Sequence, residues 1–391
     1  MLFRSADFQE EEFFGAISPP QTTIRRVFPL PAQLQAGKRG IIIGGVAHPR
    51  QPQQYCQAIA KLSHILQYPV LAESLSPLRN YGDLLPNLIA TYDLILRQEK
   101  LAGILAPEIV IQVGELPTSK ELRTWLEFHQ PQYWIVDPSA ENFDPLHGKT
   151  VHLRISIEDL MNQKELVNKN ANSASDFYLK WSEIERRVRQ AIAQKMASVD
   201  WLLEAKVSWL LSQILPPDTP LFIANSMSVR NMEFFWMPNN LQIIPFFNRG
   251  ANGIDGTLST ALGMAHRHQS SVLLTGDLAL LHDTNGFLIQ QQFEGHLTIV
   301  LINNNGGSIF EMLPISQFDP PFEEFFATPQ HLDFSKLCFA YGVEYQQVTD
   351  WQQFKDFFKS IPSQGIRVLE IQTNRKSDAL WLQNNLPLFA I

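Results

Sequence analysis

The sequence predicts an α/β protein of two doubly wound parallel-sheet domains, and three observations carry that prediction. From Arg39 onward, short β-branched runs alternate with longer amphipathic ones, the pattern of a parallel sheet flanked by helices. The chain has 391 residues and 45% hydrophobic content, enough for two or three cores at about 100 to 200 residues per domain. A polar stretch, Asn162 to Asp176 (NQKELVNKNANSASD), interrupts the pattern. Poor in aliphatic residues, it reads as a linker or exposed joint.

Met1 to Gly15 carries early acids and no continuous apolar core before a small-residue cleavage site, so it does not read as a signal peptide. Ser18 to Pro31 is Pro-rich and reads as an extended linker. Residues 1–30 are therefore expected to be a linker or the remnant of a preceding domain, and residues 31–160 a Rossmann-like domain. In that domain Gly40 to Val46 (GIIIGGV) predicts a buried strand and Gln51 to Leu66 a helix. Ile109 to Val113, Tyr133 to Val136 and Val151 to Ile155 predict further buried strands. The first strand ends in Gly44-Gly45 without a G-x-G-x-x-G fingerprint, so the glycines read as structural rather than as a dinucleotide site.

Residues 161–200 are expected to form a linker and helix, and residues 201–391 the second domain. Phe177 to Leu215 reads as helical, with Glu183 and Arg187 on an exposed face. Strands are predicted at Leu221 to Asn225, Gln242 to Phe246, Ser271 to Thr275, Leu297 to Asn303 and Arg367 to Gln372, with helices such as Ile254 to Arg267 and Trp351 to Ser360 between them. No internal repeat is visible.

Composition excludes several classes of function. The chain has 31 Lys+Arg against 39 Asp+Glu, a net charge of −8, which argues against a nucleic-acid partner. Cys56 and Cys338 are the two cysteines, too few for a disulfide framework or a repeated metal-ligand spacing, and a reducing cytoplasmic location is expected. The longest apolar runs, such as Leu297 to Ile302, fall well short of the roughly 18 residues of a membrane span.

The chemistry concentrates where strands end. Ser271 to Thr275 runs directly into Gly276-Asp277, and Leu297 to Ile302 into Asn303-Asn304-Asn305-Gly306-Gly307. The carboxyl edge of an open α/β sheet is where ligands bind, and the two motifs meet there if the strands are neighbours. A carboxylate, an amide oxygen and a backbone carbonyl make a hard oxygen set suited to Mg²⁺, which keeps positions for water and phosphate. The implied ligand is a diphosphate. Taken singly, these residues would also serve as ordinary strand-closing turns.

In order and spacing the motifs resemble those of the thiamine diphosphate enzymes, although the third position of the first motif is Leu278 where glycine is commoner. Asn248-Arg249-Gly250-Ala251-Asn252-Gly253-Ile254-Asp255-Gly256, Gly276 to Gly286 and Asn303 to Leu313 (NNNGGSIFEML) resemble one branch of that family, active in menaquinone and phylloquinone synthesis. Thr118-Ser119-Lys120 and Tyr133 to Asp137 extend the likeness loosely into the first domain. The resemblance implies decarboxylation of 2-oxoglutarate and conjugate addition of the resulting succinic semialdehyde carbanion equivalent to isochorismate. The cofactor supplies the carbanion chemistry; the protein supplies position and electrostatics.

By the same resemblance, Asp277, Asn304 and the Gly306 carbonyl would hold Mg²⁺ or Mn²⁺, while Gly276, Leu278 and Gly307 lie against the cofactor diphosphate. Ile309, Phe310 and Leu313 would wall the thiazolium, although their alternative reading is the core of a short helix. Arg249 and Arg230 match carboxylate-binding arginines, for which the planar guanidinium fork is suited. Lys120 matches a basic substrate-binding residue of the central domain; the next position is Glu121 where some relatives carry Arg, and Arg123 is the candidate substitute. His282 reads as a loop histidine rather than a base. Asn252, Asp255 and Asp283 remain polar residues without assigned roles.

The resemblance also implies a third, pyrimidine-binding domain ahead of the opening linker, with Phe3-Arg4 resembling its last residues. That domain carries the Glu that activates the cofactor, and Glu311 sits on the wrong half to replace it. The alternatives are a separate pyrimidine-domain chain, a catalytically silent fragment, or another family member such as an acetolactate synthase-like enzyme or oxo-acid decarboxylase. A homodimer or homotetramer is expected. Phe234-Phe235-Trp236 and Phe318 to Phe326 (FDPPFEEFF) are candidate surfaces facing the pyrimidine domain, with packed core as the alternative.

Overall fold

A computed structural model describes residue 34 and residues 38–162 and 175–391. The opening linker and most of the polar joint predicted at 162–176 lie outside the described residues. The described chain forms two wholly parallel sheets, five-stranded and six-stranded.

The first sheet has the order β2-β1-β3-β4-β5, built from β1 (Gly40–Gly44), β2 (Val70–Ala72), β3 (Ile109–Val113), β4 (Gln132–Val136) and β5 (Thr150–Leu153). The central strands are buried along their length, as a sheet covered on both faces requires. Its helices are α1 (Pro52–Leu66), α2 (Tyr92–Leu96), α3 (Glu99–Ile104), α4 (Lys120–His129) and α5 (Ile157–Met161). β2 was not predicted, because three residues give too short a pattern to register. The crevice between β1 and β3, where the strand order reverses, is closed by backbone: Val46 and Glu115 exchange hydrogen bonds of 3.0 and 3.1 Å. A Cβ on Gly45 would stand 1.7 Å from the Glu115 carbonyl oxygen. The glycine pair thus serves close chain packing, in line with its structural reading.

The long helix predicted from Phe177 to Leu215 is two helices, α6 (Asp176–Ala197) and α7 (Glu204–Ile214). No Pro or Gly marks the break. Val199 and Leu203 turn into the core between them, and the Lys206 ammonium donates to the Val199 carbonyl at 2.5 Å. α6 packs on the first sheet's helices rather than opening the second domain: its buried Glu185 accepts from the Ala90 and Thr91 amides at 2.9 and 3.1 Å, and Trp181 meets Trp125 edge-on. Glu183 and Arg187 are exposed as expected, but Glu183 pairs with Arg186, at 2.8 Å.

The second sheet has the order β10-β11-β9-β8-β6-β7. Its strands are β6 (Pro220–Ile223), β7 (Ile244–Phe247), β8 (Ser271–Gly276), β9 (His296–Asn303), β10 (Glu344–Val348) and β11 (Gly365–Gln372). Helices α8 (Met227–Phe235), α9 (Thr257–Ala265), α10 (Asp277–Leu281), α11 (Phe334–Tyr341), α12 (Trp351–Asp356) and α13 (Arg375–Asn385) connect and cover them. β10 was not anticipated either: it is an edge strand of sequence EYQQV, mostly polar and only partly buried.

Arg79 joins the two sheets. It is fully buried, donating to the Ala72 carbonyl at 2.8 Å, the Glu233 and Trp236 carbonyls at 2.9 and 3.1 Å, and the Glu233 carboxylate at 2.9 Å. The other Glu233 oxygen accepts from the Ser74 amide at 2.7 Å. A buried cation is tolerated only when so fully paired. Phe235 and Trp236 are therefore core, and the Trp236 indole donates to Asn80 at 2.9 Å. Of the two alternatives for Phe234-Phe235-Trp236, this decides Phe235 and Trp236 for packed core and against a bare surface. Among the described residues no helix is long and apolar enough to cross a membrane.

Candidate functional site

Four adjacent strand ends, β9, β8, β6 and β7, present the candidate residues along one edge of the second sheet. The strand order reverses between β6 and β8, the position at which open α/β sheets bind ligands. β8 and β9 are neighbours, with Gly276 opposite Ile302, so Asp277 and the Asn303–Gly307 loop meet as predicted. Asp277 begins α10; one oxygen accepts from the Leu278 amide and the other from the Gly306 amide, both at 2.8 Å. Burial pushes the Asp277 carboxyl up to about 6, against those amides.

Asn304 is buried beside it. Its Nδ2 donates to Glu204 Oε2 at 3.1 Å, while its Oδ1 is buried with no hydrogen-bond partner. An orphaned, buried carboxamide oxygen costs free energy that a cation would recover. The Gly306 carbonyl accepts one bond, from Ser308 at 3.0 Å, and a carbonyl has two lone pairs. Among the described residues no group of three or more His, Cys, Asp or Glu is placed to hold a metal. A metal here would therefore need the mixed carboxylate, amide and carbonyl set.

The glycines divide by cause. A Cβ on Gly276 meets nothing within 4 Å, leaving open space beside Asp277 of the kind a ligand could fill. Gly306 has φ +135°, and a Cβ there would lie 2.2 Å from the Ala327 carbonyl oxygen, so only glycine fits. A Cβ on Gly307 would lie 2.6 Å from the Phe326 carbonyl oxygen and 2.8 Å from the Phe310 ring; its need for glycine comes from the protein itself.

After the loop, Ile309 and Phe310 are half-buried and Leu313 is 45% exposed. Ile309 leans on the core and Phe310 meets Phe326 edge-on at 5.5 Å. Phe318 and Phe325 are exposed, whereas Phe322 is buried, so the aromatic run is partly surface and partly core. Arg375 of α13 clamps this segment. It donates to Glu311 at 2.8 Å and to the Asn305 carbonyl at 3.1 Å, and pairs with Glu323.

The arginines gather at the β6 and β7 ends. Arg249 donates to Asn225 Oδ1 at 2.8 Å, and Arg230 to the Ser226 carbonyl at 2.8 Å. Burial, with Arg249 close by, lowers the Arg230 guanidinium. Among the described residues neither forms an ion pair, leaving two adjacent cations that favour an anionic ligand. Lys120 is exposed at the start of α4, and no described hydrogen bond or ion pair joins it to these arginines. Glu121 faces Arg97 at 3.7 Å, and Arg123 donates to the Pro117 carbonyl at 3.3 Å. His282, Asn252 and Asp255 are exposed, while Asp283 accepts from the Ser259 amide and hydroxyl at 2.6 and 2.9 Å.

Sequence reasoning missed three residues here. Asn225 stitches the Arg249 loop, its Nδ2 donating to the Asn248 and Gly253 carbonyls at 3.1 and 3.0 Å. Ser226 adopts φ +66° and ψ −134°, backbone strain of a kind that clusters at functional sites. Glu204 lies under Asn304, and burial, with Asp378 next to it, pushes its carboxyl up to about 8. Only the strained serine at a strand end had a sequence signal, the short Asn225-Ser226 step into α8.

Residues 32–223 match the family described as the middle domain of thiamine pyrophosphate enzymes, and residues 226–371 that of the C-terminal TPP-binding domain. These matches and the two parallel sheets define the class: central and cofactor-binding domains of a thiamine diphosphate enzyme. The chain is 60% identical over 381 residues to the 2-succinyl-5-enolpyruvyl-6-hydroxy-3-cyclohexene-1-carboxylate synthase of Rippkaea orientalis, covering 97% of this chain and 64% of that relative. It is 60% identical over 390 residues to the synthase of that name from Gloeothece citriformis (98% and 67%), and 58% over 384 residues to that of Trichormus variabilis (98% and 66%). The chain belongs to the family of these thiamine diphosphate-dependent synthases. It spans about two thirds of the length of the curated relatives it matches.

Proposed function

We propose that this chain provides the central domain (31–160), joint (161–200) and cofactor-binding domain (201–391) of an enzyme using thiamine diphosphate with Mg²⁺ or Mn²⁺. The reaction is decarboxylation of 2-oxoglutarate and transfer of the succinyl semialdehyde unit to isochorismate, in menaquinone or phylloquinone synthesis. The observation that carries the reading is the buried, unpartnered Asn304 oxygen at the β9 end, beside Asp277 at the neighbouring β8 end. Thiamine diphosphate, when bound, supplies the carbanion-stabilising chemistry.

Asp277, Asn304 and the Gly306 carbonyl would hold the metal on the diphosphate, with Gly276 and Leu278 lining the groove. Gly307 acts by letting the loop pack under Phe326. Ile309, Phe310 and Leu313 exclude water beside the reacting ring, where a dry wall strengthens every charge interaction. Arg249 and Arg230 orient substrate carboxylates, and Lys120 approaches from the central domain. The pyrimidine-binding side of the site would come from another domain or chain in a homodimer or homotetramer, facing Leu313, Phe318 and Phe325.

Arg249→Ala in the assembled holoenzyme tests the substrate assignment. Loss of a charged hydrogen-bonding partner of about 1.5–3 kcal/mol predicts a kcat/KM for 2-oxoglutarate or isochorismate reduced roughly 10- to 150-fold. Unchanged kinetics for both substrates would refute it.

A further inference from the structure

Beneath the loop that carries Asn304 lies a buried polar cluster no sequence motif announced. Glu204 is the first residue of α7, 100 positions before Asn304, and it is buried. Asn231 of α8 and Asp378 of α13 are buried near it. Three helices thus bring polar side chains to one buried point under the β9 end. Such a site is costly to build.

Geometry gives this acid a task. A carboxamide has a donor end and an acceptor end, and rotation by half a turn exchanges them. The Asn304 Nδ2 is occupied by Glu204 Oε2 at 3.1 Å, and the Oδ1 has no partner. Glu204 Oε2 is the acceptor of that bond, and an acceptor oxygen suits the NH₂ end of the carboxamide rather than its oxygen end. With the NH₂ pinned beneath the loop, the oxygen is the end left for the side of Asp277.

We propose that Glu204 is a positioning residue for the metal site, fixing the Asn304 carboxamide so that its oxygen is the atom presented to the divalent cation. It touches neither metal nor substrate and acts through Asn304, as partners behind metal ligands commonly do. The inference rests on the assignment of Asn304 as a metal ligand.

The test measures Mn²⁺ affinity of the full chain in the presence of thiamine diphosphate, by the electron paramagnetic resonance signal of free Mn²⁺, with metal-free thermal unfolding recorded alongside. Glu204→Met keeps the volume but removes the acceptor, and Mn²⁺ affinity should fall about 10- to 100-fold. Glu204→Gln retains an acceptor oxygen, so its affinity should stay within about threefold of the parent. If Glu204→Met does not fold, Glu204→Asp withdraws the acceptor by one methylene and carries the same expectation. Asn304→Ala separates the two levels. Were it to leave Mn²⁺ affinity intact, the ligand assignment itself would fall, and this inference with it. Weakening by Asn304→Ala with parent-like affinity in Glu204→Met, or equal losses in the Met and Gln variants, would overturn the positioning role alone.

Discussion

Two glycines of the same groove should respond oppositely to one added methyl group. In Gly306→Ala the new Cβ would stand 2.2 Å from the Ala327 carbonyl oxygen and 3.1 Å from its carbon, at φ +135°. Holding an L-residue in that region costs about 1–3 kcal/mol, and overpacking against a backbone that cannot rotate away adds about 1–3 kcal/mol. A total near 4 kcal/mol, at about 2–4 °C per kcal/mol for a domain of this size, lowers Tm by roughly 8–16 °C. In Gly276→Ala the methyl meets nothing within 4 Å and φ is −91°, so stability should change by less than about 1 kcal/mol. Its methyl does enter the space assigned to the diphosphate, so thiamine diphosphate affinity should fall while Tm holds. Differential scanning fluorimetry without ligand and calorimetric titration with thiamine diphosphate and Mg²⁺ read the two quantities. A Gly306→Ala protein melting like the parent, or a Gly276→Ala protein binding cofactor normally, would refute the reasoning.

Other outcomes follow from the buried charges. Arg79→Met strands the Glu233 carboxylate between the two sheets and should cost about 3–5 kcal/mol; adding Glu233→Gln should recover part of the lost Tm. Glu73, fully buried and accepting from the Thr118 amide at 2.9 Å, is raised well above the usual carboxylate range by burial and then by Glu233. Above the ordinary value of 4.5 the folded protein keeps a proton the unfolded chain has lost. Stability therefore falls as pH rises toward the folded value, by up to about 1.4 kcal/mol per pH unit. Glu73→Gln should flatten that decline, so the Tm gap between variant and parent widens from pH 5 to 8, and parallel profiles would contradict it. Arg375→Ala frees Glu311, Glu323 and the Asn305 carbonyl together and should cost about 2–4 kcal/mol. Arg375→Lys should restore less than half of that, because an ammonium lacks the planar fork that reaches three acceptors.

Strand positions were legible because strands buried on both faces are written as continuous apolar runs: Ile109–Val113 was read to the residue, and Leu297 to Asn303 to within one. The Asp277 and Asn304 motifs were legible for a related reason, since a polar residue directly after such a run must sit at the sheet edge. Illegible elements lacked that contrast. β2 is three residues long, β10 is polar and at an edge, and the chain between α6 and α7 breaks without Pro or Gly. The aromatic segment at Phe234 stayed open between surface and core for a further reason: composition is the same whether a ring faces solvent or core, and here Arg79 and Phe389 enclose it.

The sequence by itself determined the two parallel sheets, the strand ends that carry the candidate residues, and the motif order that marks a thiamine diphosphate enzyme. All of these depend on local runs and on the residues just beyond them. Only the tertiary structure decided that Glu204 lies under Asn304, that Asn225 holds the Arg249 loop, that Arg79 locks the sheets together, and that Gly307 is required by Phe326. Each of those contacts joins separate stretches of chain, where burial and hydrogen-bond satisfaction are settled by packing and leave no periodic trace in the sequence.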